Sequence, residues 1–299
     1  MSLMRNIYHA VLSEDLRWKI YHHKNIKKNK KLLNNIIVFL ESPANPFPKQ
    51  DSKEIISFLK ENGLHVFPYE FSKKYKADDV KVVYNELNGL HYVNYFDKKL
   101  YFKKDWTPEK IRSKFSFLLN EQDAGSPHQY LSEDFKMEPG TVIADAGAAE
   151  GIFILPFIDT IKHAYLFETD EEWIEALNAT FENYKDKVTI INKYVSDKND
   201  SMNVSLDSFF QDKNVDFIKI DVDGAEMELL KGAKKILSEL HPLKVAICTY
   251  HNQKDEIEFN ELLKSYGFKT STSDKFMLFH YDDNLTEPYL RRGIIRAQK

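Results

Sequence analysis

The side chains best suited to chemistry cluster in the second half of the chain. Asp221, Asp223 and Glu226 end the segment Val215-Asp216-Phe217-Ile218-Lys219-Ile220-Asp221-Val222-Asp223-Gly224-Ala225-Glu226, an apolar run that gives way abruptly to acids. Two carboxylates in Asp-x-Asp spacing can hold a divalent ion against a diphosphate, and one alone can orient a hydroxyl. His251 follows Thr249-Tyr250. An imidazole titrating near pH ~6.5 can remove a hydroxyl proton, although a lone histidine is as often structural. His128, after Ser126-Pro127, reads as a surface-loop residue or as a lid over a ligand. Cys248, the one cysteine, lies in the apolar run Ala246-Ile247-Cys248 and reads as a small buried hydrophobe.

A second set of residues suits a nucleoside. Asp145-Ala146-Gly147-Ala148-Ala149-Glu150-Gly151 is a loop of small residues that lets backbone approach a ligand at a helix amino end. Glu168, in Tyr165-Leu166-Phe167-Glu168, can accept from both hydroxyls of a ribose, and Asp197, in Val195-Ser196-Asp197-Lys198, from an adenine amino group. The nicotinamide fingerprint fails, because its second and third glycine positions are Ala149 and Ile152.

These residues need regular elements to position them. From residue 141 onward strand and helix patterns alternate, with strands expected at Val142 to Ala146, Ala164 to Phe167, Val188 to Ile191, Phe217 to Ile220 and Val245 to Cys248. Intervening helices carry stripes such as Trp173, Leu177 and Phe181, or Leu230, Ala233 and Leu237. Such alternation predicts an open parallel sheet covered on both faces, with ligands beyond the carboxyl ends of its strands. Phe268 to Ser271 and Phe276 to His280 are too close for a parallel crossover, so they are expected to pair antiparallel. Earlier in the chain the patterns predict a helix over 4–33, a buried strand Ile36 to Leu40, and a proline-broken link to a helix ending at Gly63. A three-stranded meander over 80–103 and a helix from Thr107-Pro108 follow. The division expected is an α+β accessory region at 1–121 and an α/β domain at 122–299.

Taken together, these segments resemble the FkbM family of S-adenosylmethionine-dependent methyltransferases, whose signature is a strand, I-D-V-E-G-x-E and a helix L-L-K-G-A. The matching residues are Ile220 to Glu226 and Leu229-Leu230-Lys231-Gly232-Ala233. The resemblance takes in the Asp145 to Gly151 loop, Phe167-Glu168, Ser196-Asp197, Ser205-Leu206-Asp207 and Tyr250-His251, and covers about half the chain, residues 141–282. Asp223 stands where the family more often has Glu. Glu121-Gln122-Asp123, Ser126-Pro127-His128 and Pro288-Tyr289-Leu290-Arg291-Arg292-Gly293 look like marks of a subgroup.

The resemblance implies a Rossmann-like class I methyltransferase sheet, mostly parallel with an antiparallel C-terminal hairpin. It implies S-adenosyl-L-methionine held by Asp145, Gly147, Ala149, Gly151, Glu168, Asp197 and Asp221, and methyl transfer to oxygen, commonly a sugar hydroxyl of a polysaccharide or natural product. His251 would be the base, with Asp221 or Asp223 fixing the acceptor or a divalent cation. Metal dependence stays open at this point. A metal-dependent glycosyltransferase using Asp221-Val222-Asp223 is the rival enzyme, but it leaves the Asp145 to Gly151 loop without a role. A non-catalytic descendant would be expected to have lost these groups, yet Asp145, Gly147, Glu168 and Asp221 are all present.

Composition bounds the remaining choices. The chain has 299 residues, 42% hydrophobic and 13% aromatic with 10 Gly and 10 Pro, enough side-chain volume for a packed core. A net charge of -4 argues against coating nucleic acid. The first fifty residues nevertheless hold nine Lys or Arg against three acids, mostly between Arg17 and Lys31, which reads as a solvated helix face. One cysteine excludes an internal disulfide and fits a reducing cytoplasm. No signal peptide or membrane span is legible. The expected partners are a small-molecule or carbohydrate acceptor and a second copy of the chain.

Overall fold

A computed structural model describes residues 14–239, 241–282 and 284–299, with side chains from residue 26 onward. The expected helix start at residue 4 and the side chains of Arg17 to Lys24 lie outside that description. Helix α1 (Glu14–Glu41) runs straight through Ile36 to Leu40, which is therefore not a strand. Ile36, Phe39 and Leu40 are buried while Val38 is exposed, a helical interval; a strand would have put residues 36 and 38 on one side. They pack on Ile55 and Leu59 of α2 (Lys49–Asn62), which starts after Pro48 and stops at Gly63. The meander follows as β1 (Val83–Asn85), β2 (Leu90–Tyr95) and β3 (Lys98–Tyr101), antiparallel throughout. Helix α3 (Pro108–Gln122) is capped by the Thr107 side chain, which accepts from the Lys110 amide.

The α/β part then runs β4 (Val142–Ala146), β5 (His163–Phe167), α4 (Glu171–Thr180), β6 (Val188–Ile191), β7 (Tyr194–Val195), β8 (Asn203–Val204), α5 (Leu206–Phe209) and β9 (Phe217–Ile220). After these come α6 (Glu226–Lys231), α7 (Lys234–Ser238), β10 (Lys244–Cys248), α8 (Asp255–Ser265), β11 (Lys269–Thr272), β12 (Phe276–Met277), β13 (Arg291–Arg292) and β14 (Ile294–Gln298). Seven of the strands form one sheet in the order β11-β14-β10-β9-β4-β5-β6. From β10 to β6 all neighbours are parallel, and β14 is antiparallel to both β10 and β11. The strand order reverses between β4 and β9, the place where an open α/β sheet leaves a crevice.

The antiparallel end differs from the expected hairpin. β11 pairs with β14 and not with the segment after it, and β12 pairs with β13. Ile294 and Ile295 are fully buried on opposite faces, each in a different core. A strand inserted between two others is covered on both sides, so it shows no alternation to read. Ser273 accepts from the Gly293 and Ile294 amides at 3.1 and 3.4 Å, joining the end of β11 to the start of β14.

Side-chain parity assigns the two faces. Ala144, Ala146, Ile218, Ile220, Val245 and Ile247 pack on Leu229, Leu230, Leu237, Phe259 and Leu263 of the helical layer. Ile143, Phe217, Ala246, Cys248 and Ile294 share a core with Phe67, Leu100, Phe102, Ile111 and Phe115. The accessory region is thus the layer that covers the second face. Asp145, Lys219 and Asp221 have the parity of that covered face. Among the described residues no helix is long and apolar enough to cross a membrane.

The approach of β4 to β9 can be tested at a glycine. A Cβ on Gly147, at φ 77°, would lie 1.8 Å from the Asp221 carbonyl oxygen, whereas Gly63, at φ 78°, has nothing within 4 Å. Gly63→Ala should therefore cost roughly 1–2 kcal/mol of left-handed strain alone. Gly147→Ala should cost upward of roughly 3 kcal/mol, because strain and a backbone clash combine. Denaturant unfolding of the two variants side by side measures the difference.

Candidate active site

Lys219 is the first unusual feature, a lysine inside a fully buried strand. It lies opposite Asp145 in the parallel register, with Nζ 3.0 Å from Asp145 Oδ1, and it donates to the Gly147 carbonyl at 2.5 Å. Burial opposes its charge, but Asp145 and Asp221 outweigh that and hold its pKa above the usual lysine value. Burial raises the pKa of Asp145 even beside Lys219, and neither Asp145 oxygen has an aligned hydrogen-bond donor.

The loop after β4 has Gly147, Ala149 and Gly151 at φ 77°, 45° and 82°. Glu168 ties it down. Its Oε2 accepts from the Ala149 amide at 2.9 Å, and Oε1 accepts from the Thr169 and Asp170 amides at 2.7 and 2.8 Å. A carboxylate has about four lone-pair positions, so one is left, room for one ribose hydroxyl where the sequence reading had two. Gly151 is required by packing: a Cβ there would lie 2.7 Å from the Phe181 ring. Asp197 is exposed, and its loop seats on Gly232, where a Cβ would lie 2.0 Å from the Ser196 carbonyl oxygen.

Asp221 is the hub beyond β9. Oδ2 accepts from the Tyr130 hydroxyl at 2.7 Å and lies 3.7 Å from His128 Nε2. Oδ1 accepts from the Tyr250 hydroxyl at 3.3 Å and lies 3.7 Å from His251 Nε2. Burial would raise this carboxyl's pKa, but His128, Lys219 and His251 outweigh it and hold Asp221 well below the usual range. Burial and Asp221 together push both phenols well above theirs, so they remain donors.

His251 has a carboxylate on each side. Nδ1 is 2.9 Å from Glu226 Oε1, a close charge contact not aligned as a hydrogen bond, and Nε2 is 3.6 Å from Asp223 Oδ1. Glu226 is fully buried, and its Oε1 also accepts from the Val222 and Gly224 amides at 3.1 and 3.3 Å. Burial lowers the His251 pKa, but Glu226, Asp221 and Asp223 outweigh it and raise it. Buried Arg291 fastens the loop that carries His251. Its Nη1 donates to the Tyr250 and His251 carbonyls at 2.6 and 2.9 Å, and Nε donates to Gln253 Oε1 at 3.0 Å.

The fold therefore brings Asp145, Gly147, Asp221 and His251 to neighbouring strand ends, leaves Asp223 exposed at the rim and puts Asp197 on a separate loop. His128 is neither a surface residue nor a lid: it is 2% exposed and lies 3.8 Å from Cys248 Sγ. Sequence reasoning counted Glu226 among the acids available for chemistry without pairing it with His251, and assigned no role to Tyr130, Lys219, Tyr250 or Arg291. Lys219 had a legible signal, a charge at the buried parity of Phe217 and Asp221. A cavity of about 800 Å³ lies elsewhere, along edge strand β11, and touches none of these groups.

Among the described residues two donor sets converge within 4.8 Å, His128 with Asp221 and Cys248, and Asp221 with Glu226 and His251. Asp223 is in neither, so Asp221-Val222-Asp223 does not form a paired ligand set. The oxygens a cation would use already accept from Tyr130, Tyr250 and backbone amides. These groups fit a hydrogen-bonded charge network better than a metal shell.

Residues 170–270 match the family model of the methyltransferase FkbM domain. That segment, about a third of the chain, is similar to the methyltransferase FkbM domain. The match includes Asp197, Asp221 and His251; Asp145 and Glu168 precede it. No curated protein is significantly similar in sequence. Solved structures that overlap in part include a precorrin-6y C5,15-methyltransferase from Geobacter metallireducens GS-15, at 11% identity over 55% of this chain and 84% of that one, TM-score 0.36. A putative methyltransferase from Streptococcus mutans in complex with SAH overlaps at 15% identity over 55% and 90%, TM-score 0.38. An rRNA methylase from Streptococcus thermophilus overlaps at 16% identity over 55% and 89%, TM-score 0.35. Overlap this loose bears on neither the acceptor nor the role of any residue.

Removing the Lys219 ammonium tests the charge network. Lys219→Met should destabilise the fold by roughly 3–5 kcal/mol at neutral pH, since buried carboxylates lose their counter-ion. Asp145 then has a folded pKa still further above its unfolded value, so the folded state binds the extra proton. The deficit should accordingly shrink as pH falls toward the unfolded carboxyl pKa of about 4. Unfolding curves across pH would show this; a deficit independent of pH would place the loss in packing instead.

Proposed function

We propose that this methyltransferase uses S-adenosyl-L-methionine to methylate a hydroxyl oxygen, with a carbohydrate or natural-product precursor as acceptor. The observation that carries this reading is the Glu226–His251–Asp221 arrangement. One imidazole nitrogen abuts a buried carboxylate, and the other faces the strand ends beside the β4 loop. An alcohol is a poor nucleophile at neutral pH and needs a base, which this arrangement supplies.

The cofactor's fit rests on groups that have capacity left to accept hydrogen bonds. Asp145 presents buried oxygens without an aligned donor, and Glu168 keeps one lone-pair position. The residues that would hold the cofactor are the Gly147 to Gly151 loop, Glu168 toward a ribose hydroxyl, Asp197 toward the adenine, and Asp145 and Asp221 toward its positive end. When bound, it supplies an electrophilic methyl on a sulfonium sulfur. His251 Nε2 would take the proton of the acceptor hydroxyl as its oxygen displaces the neutral thioether sulfur from the methyl, and Glu226 would stabilise the resulting imidazolium. Asp221, kept ionised 3.7 Å from Nε2, would hold the acceptor hydroxyl by hydrogen bond. The two tyrosines donate into Asp221, so the proton goes to the histidine.

A carbohydrate acceptor is supported by the surface beside the base. The Phe279 ring lies 6.0 Å from His251, and Tyr281, 6.4 Å further out, is well exposed. Together they offer apolar faces with a polar tip for the C–H side of a sugar ring. No observation favours the glycosyltransferase, because Asp223 is exposed and outside both donor sets.

His251→Ala should lower methyl transfer by roughly 10²–10⁴ and leave cofactor affinity nearly unchanged. The wild-type rate should rise with pH through the raised His251 pKa, because only the neutral imidazole accepts a proton. Glu226→Gln removes a charge that raises this pKa, so the inflection should move to lower pH. The assay is transfer of labelled methyl to a panel of glycans and polyols, followed across pH. Wild-type turnover in His251→Ala would show that the histidine is structural, and binding of a nucleotide sugar with Mn²⁺ in place of the methyl donor would revive the glycosyltransferase.

A further inference from the structure

The cavity of about 800 Å³ along edge strand β11 takes no part in the reaction described above. Its floor is the outer end of the large sheet. The register sets Lys269 opposite Gln298 and Ser271 opposite Arg296, so these four side chains stand on one face, the face of Ile294. The accessory layer covers that face at Ile294, and residues from the segment 124–135 form the cavity's other side.

Arg296 is partly buried in this lining, and among the described residues it forms no ion pair. Its Nε donates to the Tyr130 carbonyl at 3.0 Å and its Nη2 to the Gln129 carbonyl at 2.6 Å. Those two bonds fix the plane of the guanidinium and use one of its edges. The other edge, Nη1 with the second Nη2 proton, donates to no described group, and it is an edge that takes a carboxylate through two parallel hydrogen bonds. Neutral carbonyls satisfy donors without neutralising charge. The fork is therefore held in place and lacks its anion.

The rest of the lining narrows the ligand. Ser132, Ser271 and Gln298 offer hydroxyls and an amide that no described group engages. Glu133, Asp134 and Asp274 also line the cavity, exposed and without an ion pair among the described residues. They can accept from hydroxyls and they repel further negative charge, which disfavours a polyanion. Phe135, the aromatic ring in the lining, is buried against Phe217 with ring centres 5.4 Å apart, so it has no face to offer a nucleobase. One carboxylate on a body rich in hydroxyls satisfies all of these groups together.

We propose that this cavity is a second binding site, for a saccharide bearing a single carboxylate, with Arg296 taking the carboxylate and the serines, Gln298 and the exposed acids meeting the ring hydroxyls. Its volume falls within the usual range for small-molecule pockets. The assignment does not depend on the methyl donor or on His251.

Ligand-observed NMR titration of the full chain with glucuronate, glucose, acetate and inorganic phosphate ranks the affinities. Glucuronate should bind at least about tenfold more tightly than glucose or acetate, and added salt should weaken it. Arg296→Lys keeps the charge but loses the fork, and should lower glucuronate affinity by roughly tenfold or more. Should that variant fail to fold for want of the bonds to Gln129 and Tyr130, Ser271→Trp fills the floor from an exposed position, leaves those bonds in place and should abolish binding. Phosphate binding as tightly as glucuronate would reduce the site to an anion contact and overturn the proposal. Equal affinity for glucose and glucuronate, no binding of glucuronate, or binding undiminished in a folded variant would overturn it as well. Binding of S-adenosylhomocysteine, scored in parallel, reports on the methyl-donor reading separately from any of these results.

Discussion

A lysine in the middle of a parallel sheet is tolerable only if every proton on it finds an acceptor and its charge finds an opposite. Lys219 has its opposite charge in Asp145, one strand away, and donates to the carbonyls of Ala146 and Gly147 at the turn out of β4. The two central strands are thereby joined by an ion pair as well as by their backbone ladder. The loop that leaves β4 is held at the same point. Because Gly147 has no Cβ, β9 can bring the Asp221 carbonyl against it, and the Asp221 side chain emerges where Lys219 still acts on it. The position of the whole site follows from this pair.

Charge then spreads outward in alternating sign. Lys219 and the two histidines keep Asp221 ionised; Asp221 and Glu226 in turn favour the charged form of His251. Tyr130 and Tyr250 supply hydrogen bonds without adding charge. Arg291, on the strand that precedes β14, grips the backbone on both sides of the Tyr250–His251 peptide. The arginine-bearing segment thus reaches the site through main-chain carbonyls. The accessory region completes the arrangement by covering the face on which the polar residues stand, which excludes water and strengthens each of these interactions.

What could be read in advance depended on how local its cause was. The five parallel strands and their order of appearance were legible because each is a short apolar run between helical stripes. The segment Ile36 to Leu40 was misread because five apolar residues fit a strand or a helix equally well, and only Ile55 and Leu59 packing against its helical stripe decide between them. β14 was missed because a strand buried on both faces has no alternation to betray it.

The acids at strand ends, the small-residue loop and His251 were determined by the sequence alone, since strand-to-loop boundaries and residue type suffice to place chemistry at the carboxyl edge of a sheet. Which of those acids act together was decided only by tertiary structure. Asp223 follows Asp221 by two residues, yet the turn at Gly224 leaves it in solvent while Asp221 is enclosed. Glu226, a helix residue by pattern, becomes the partner of His251 because the amino end of α6 returns beneath β10. His128 and Tyr130 reach Asp221 from some ninety residues away in sequence. Such pairings depend on the long-range closure of one layer over another, and no local spacing encodes the distance between two faces that meet only when the chain has folded.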